Sequence, residues 1–120
     1  MNLEMGDKGP LVIWQEQPIV MVVESALSAL LVAHEVGDLI GVIGLGSERT
    51  RPDFRLHDRL MRAKTLLCSL DNDDVGAQES WRFWRRYPGF KRWPAIRGKN
   101  ILEMWRAGVS IEDWVHAAMM

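Results

Sequence analysis

The sequence predicts an α/β domain, a central and mainly parallel sheet of about four strands flanked by helices. Three observations lead there. Residues 19–23, 39–43 and 65–70 are short apolar runs rich in Val, Ile and Leu, as strands buried on both faces read. The segments between them switch to helical spacing, the alternation of a parallel sheet. Each run also ends in carboxylates or glycines: Glu24, then Gly44-Leu45-Gly46-Ser47, then Asp71-Asn72-Asp73-Asp74-Val75-Gly76.

The elements follow in order. Residues 1–10 are polar and read as a flexible tail; residues 11–120 then form a single domain. Residues 11–14 suit a short strand, with a turn at 15–18 and the first buried strand at 19–23. Residues 25–36 are helical, with Leu27, Leu30, Leu31 and His34 on one face and Gly37 at the C-terminal cap. After the strand at 39–43, Arg51-Pro52-Asp53 opens a second helix, with Pro52 in its first turn. Phe54, Leu56, Leu60 and Met61 are its expected buried residues. The strand at 65–70 leads into a helix over 76–87. There Ala77, Trp81 and Trp84 share a face toward the sheet. Pro88-Gly89 ends it, and 90–93 forms a further strand. Asn100 with Glu103, and Ser110 with Asp113, start two last helices, docked through Trp105 and Trp114.

Composition narrows the class. The chain of 120 residues has room for one domain. Its net charge of −1 neither demands nor excludes nucleic acid. The distribution is uneven: from Arg82 to Arg106 the charged residues are basic except Glu103, while acids cluster earlier. Cys68 is the only cysteine, so an intramolecular disulfide and a cysteine zinc site are excluded. No apolar run is long enough to span a bilayer, and residues 1–10 lack the form of a signal peptide. A cytoplasmic setting without membrane contact is expected.

The acids carry the functional reading. In open α/β sheets ligands bind beyond the carboxyl ends of the strands. If the strands ending at Glu24 and Asp71 are neighbours, Glu24, Asp71 and Asp73 converge. Crowded carboxylates need protons or a cation to sit close, and a hard divalent ion takes oxygen ligands, often only one or two of them carboxylates. Asp71-x-Asp73 suits Mg²⁺, with Mn²⁺ as the alternative ion. The local alternative is an acidic turn that caps the following helix. A calcium EF-hand fits poorly, because Val75 and Arg82 stand where oxygen ligands belong.

The order strand–Glu24–helix, strand–Gly44-Leu45-Gly46-Ser47, strand–Asp71-x-Asp73-x-x-Gly76–helix resembles the Toprim domain over residues 18–87. The run from Val22 through Leu30, and Arg97-Gly98-Lys99-Asn100 before a helix, look most like its primase-type branch. Ser25 stands where that branch usually has Gly, and Ser28 and Asn100 stand where many members have Asp.

The resemblance implies Mg²⁺-dependent chemistry on nucleic-acid phosphodiester bonds, within a larger DNA replication protein or a small stand-alone member. Asp71 and Asp73 would hold the metal, with Glu24 as a third ligand or the acid/base. Lys99 and Arg97 would meet phosphate or nucleotide, and Ser47 would approach phosphate. The partner would be DNA or RNA, single-stranded, with nucleotides. A small Toprim nuclease and a non-catalytic module binding nucleic acid or a protein remain as alternatives. Residues 99–118 would be a helical extension of the core motifs.

Three further features stand outside these motifs. Trp81-Arg82-Phe83-Trp84-Arg85-Arg86-Tyr87 interleaves aromatics with arginines; the expectation is core tryptophans, with Arg82 and Arg85 facing a nucleic-acid path. His34, His57 and His116 have no partner at ligand spacing and read as core or surface residues. Cys68 reads as a buried small hydrophobe.

Overall fold

The computed structural model describes residues 3–5, 9–47 and 49–120. The elements are β1 (Leu3–Met5), β2 (Leu11–Ile13), β3 (Ile19–Val23), α1 (Ala26–Val36), β4 (Gly41–Gly44), α2 (Phe54–Arg62) and β5 (Thr65–Ser69). Then come α3 (Asp74–Arg82), a 3₁₀ turn (Trp84–Arg86), β6 (Phe90–Arg92), α4 (Ile101–Arg106) and α5 (Ile111–Ala118).

The strands form one six-stranded sheet in the order β1-β2-β4-β3-β5-β6. The expected parallel core is there: β4, β3, β5 and β6 run parallel. β2 extends it antiparallel to β4, and β1 extends it again. Leu3–Met5 therefore corrects the reading of residues 1–10 as a tail throughout; backbone pairing to β2 holds that stretch at the sheet edge. The rest of that expectation, at 1, 2 and 6–8, lies outside the described residues.

Strand residues alternate between two cores. Met21, Val23 and Leu67 face α1, α4 and α5. Val20, Val22, Leu66 and Cys68 face α2 and the Trp84–Tyr87 region. Burial on both sides is why these strands read as unbroken apolar runs rather than as alternation. Among the described residues no helix is long and apolar enough to cross a membrane.

Asn100 and Ser110 cap α4 and α5 as expected, and Ser25 and Asp53 do the same for α1 and α2, each accepting a backbone N–H from the first turn of its helix and satisfying donors that a helix leaves open. Pro52, expected in the first turn of α2, precedes the cap instead. The buried faces need correction. On α1 the residues toward the sheet are Ser28, Ala29, Val32, Ala33 and Val36, while Leu27 and Leu30 face water and Leu31 is only partly packed. Small residues win because the helix lies close to β4: a Cβ on Gly44 would stand 2.8 Å from the Ala29 Cβ. On α2, Leu56 and Leu60 are buried, but Phe54 and Met61 are exposed. Trp81 is exposed and Trp84 fully buried. The α-helix ends at Arg82, so the tighter turn that follows re-aims Trp84. Trp114 docks as expected, whereas Trp105 is half exposed.

Candidate functional site

β3 and β5 are adjacent and parallel, with Val23 in register with Ser69. The chain leaves β3 through α1 toward β4, and leaves β5 through α3 toward β6. The two connections depart to opposite sides, so the topological switch point lies between these strands, where ligands bind in open α/β sheets. Glu24 immediately follows β3, and Asp71 and Asp73 follow β5. The residues that the sequence singles out thus stand at that crevice.

The side chains meet. The Asp71 backbone N–H donates to Glu24 Oε1 at 3.3 Å. The Asp71 and Glu24 carboxyls also lie within reach of each other, a contact that lowers the Asp71 pKa. Burial raises the Asp71 pKa above the usual carboxylate value; the Lys99 charge opposes this, and the Asp73 charge adds to it. Asp73 behaves in the opposite way. It caps α3, its Oδ1 accepting the Gly76 N–H at 2.7 Å, while Oδ2 pairs with Lys99 Nζ at 3.3 Å. Those backbone and ammonium donors, the Gly76 N–H first, hold its carboxyl below the ordinary value. The Lys99 ammonium is held protonated to higher pH by Asp73 first, and by Asp71 and Glu24. Three carboxyl groups and one ammonium therefore form a single electrostatic unit.

Gly76 has a local reason. A Cβ there would come within 2.0 Å of the Asp71 carbonyl oxygen, so the first turn of α3 folds directly against the turn that carries the acids. The close approach that Gly76 permits is thus made to the chain's own backbone. Asn72, between the two aspartates, is a residue that sequence reasoning passed over. Its N–H donates to the Lys99 carbonyl at 2.6 Å, and its side-chain amide to the Ala95 carbonyl at 3.4 Å. These bonds tie the acid turn to the loop that carries Lys99. The only sequence signal was its position inside Asp-Asn-Asp.

The other expected residues are not gathered here. The loop after β4 passes beside Glu24, with Gly46 N–H donating to the Glu24 carbonyl at 2.7 Å. The Ser47 hydroxyl, however, accepts the Arg49 N–H within its own turn. Arg97 is exposed two residues before Lys99. Arg82 and Arg85 lie at the far end of α3 and in the 3₁₀ turn. Cys68 is buried, and burial pushes its thiol up to about 11.

Among the described residues, no group of three or more His, Cys, Asp and Glu side chains stands ready to hold a metal ion. Lys99 Nζ sits on Asp73, where a cation would bind. The donors that Glu24, Asp71 and Asp73 offer are carboxylate oxygens, the type that hard divalent ions take. No protein-family model, curated protein or solved structure matches the chain.

Proposed function

We propose that this chain is a Toprim-type, Mg²⁺-dependent domain that acts on nucleic-acid phosphodiester bonds, nearest the primase-type branch and part of a larger DNA replication protein. The observation that carries the reading is the meeting of Glu24 with Asp71 across the β3–β5 switch point, with Asp73 a turn away. Glu24, Asp71 and Asp73 would hold Mg²⁺ or Mn²⁺, which when bound neutralises phosphate oxygens and steadies a leaving group. Burial raises the Asp71 pKa, which suits that carboxyl to hold or pass a proton at the reacting phosphate. Lys99 releases Asp73 and turns to phosphate, as a point charge on a flexible stem. The acids exclude free anions from the crevice, so substrate enters with its charge compensated.

Titration with MgCl₂, followed at the Asp71 and Asp73 amides by NMR, is expected to give site-specific shifts. The Asp71→Asn protein is expected to bind at least about tenfold more weakly with its fold intact. Absence of site-specific shifts in the millimolar range would reject the reading. Labelled single-stranded DNA, incubated with and without nucleotides, separates a nucleotidyltransferase from a small nuclease. One observation favours a non-catalytic nucleic-acid module as a second reading: the Lys99–Asp73 pair already neutralises part of the acid charge.

A further inference from the structure

α3 carries two kinds of chemistry at its two ends. Its N-terminus abuts the acids. Near its C-terminus, Ala77, Gln78, Trp81, Arg82 and Arg85 line a shallow depression open to solvent. Trp81 is 55% exposed. Its indole is held edge-on by Phe90, with ring centroids 5.5 Å apart, so a large flat apolar surface is kept in water in a fixed pose. The Arg82 and Arg85 side chains have no ion pair or hydrogen bond among the described residues. Of the acids on α3, Glu79 is buried against Arg51, and Asp74 stands at the opposite end of the helix. The depression itself is lined by two guanidiniums, one indole and no carboxylate.

We propose that this face binds single-stranded nucleic acid, one base stacking on Trp81 and the flanking phosphates meeting Arg82 and Arg85. Exposed aromatic platforms beside positive charge are how sequence-tolerant single-strand binding is built. The partner must offer unpaired flat rings and regularly spaced anions together. An acidic peptide would satisfy the arginines and leave the indole unused. A second copy docked by this face would set Arg82 and Arg85 against their own equivalents. Eight residues of helix separate Asp73 from Trp81, about 12 Å of rise, so α3 serves as a ruler between the acids and the stacked base. For its substrate class the inference rests on the nucleic-acid reading above; it does not depend on the metal.

The test uses the full chain and a fluorescein-labelled oligo-dT of about 12 nucleotides, with binding read by anisotropy across a salt series. Trp81→Ala is expected to weaken binding about 5- to 150-fold, Trp81→Phe to retain most of it, and the melting temperature to stay unchanged in both. The Arg82→Gln/Arg85→Gln double variant is expected to flatten the salt dependence by about 1.4 in logarithmic slope, about 0.7 for each charge. Duplex DNA and polyglutamate are expected to compete poorly. Unchanged binding by Trp81→Ala overturns the inference, as does no binding by the wild-type chain at low salt. Equal competition by polyglutamate, or self-association that Trp81→Ala abolishes, would do the same. Trp81-dependent binding without Mg²⁺-induced shifts at Asp71 and Asp73 would keep this surface and reject the metal reading. Mg²⁺-induced shifts with binding indifferent to Trp81 would do the reverse.

Discussion

The two faces of the sheet are covered by different means. On one, α1 sits low on β3 and β4 through Ser28, Ala29 and Ala33, with Ala29 against Gly44. On the other, α2 and the 3₁₀ turn stand on large side chains, Leu56, Leu60, Trp84 and Tyr87. Close approach by small residues buries little area per residue but leaves no room for growth. Packing by large residues buries much area per residue and suffers when one is removed. The contrast also explains why hydropathy located the buried residues of α2 better than those of α1.

The measurements that break or sharpen that comparison run from large effects to small. The largest effect is expected at Cys68, on the large-residue face. With its thiol fully buried and pushed up to about 11, alkylation at pH 8 is expected to run on the order of a thousandfold or more slower in the native chain than in denaturant. Fast native labelling would show that this face opens. Next is Trp84→Ala, which removes a fully buried indole and is expected to cost about 3–5 kcal/mol in urea unfolding. On the small-residue face the damaging change runs the other way. Ala29→Leu is expected to cost about 1–3 kcal/mol by overpacking, and a neutral result would deny the close approach.

The acid turn between the faces gives an opposed pair. Asp73→Ala removes a helix cap and is expected to cost about 0.5–2 kcal/mol at pH 7. Because folding lowers the Asp73 pKa, its contribution is full above the unfolded value of about 3.8 and fades as pH falls through the lower folded value. The wild type and Asp73→Ala should therefore converge in strong acid. Asp71 has a raised folded pKa, so its ionised form opposes folding at neutral pH. Asp71→Asn is expected to raise the melting temperature at pH 7, with the gain shrinking as the wild type is acidified. A fall instead would mean that the ionised carboxylate supports the turn. The smallest effect is expected at Leu27→Ser on the outer side of α1, within about 0.5 kcal/mol by thermal melting.

These contrasts mark what could be read without coordinates. β3, β4 and β5 were legible because a strand buried on both faces needs apolar residues at every position. Glu24, Asp71 and Asp73 were legible because each ends such a run, and their convergence required only that β3 and β5 be neighbours. The outward face of Leu27 and Leu30 was not legible, since large apolar side chains outweigh alanines in any hydropathy pattern. Trp81 misled because the buried face of α3 carries Gly76, Glu79 and Ser80, small or polar residues that a hydropathy pattern does not select. Asn72 was invisible because its bonds join segments brought together only by folding.

The bonds from Asn72 to Ala95 and Lys99 also decide where this protein can be cut. A fragment trimmed after Tyr87 would keep the acids and discard the carbonyls and the ammonium that hold their turn in shape. Expression boundaries drawn around the strand motifs alone would remove the brace along with the tail, so the minimal working unit has to run on past Lys99.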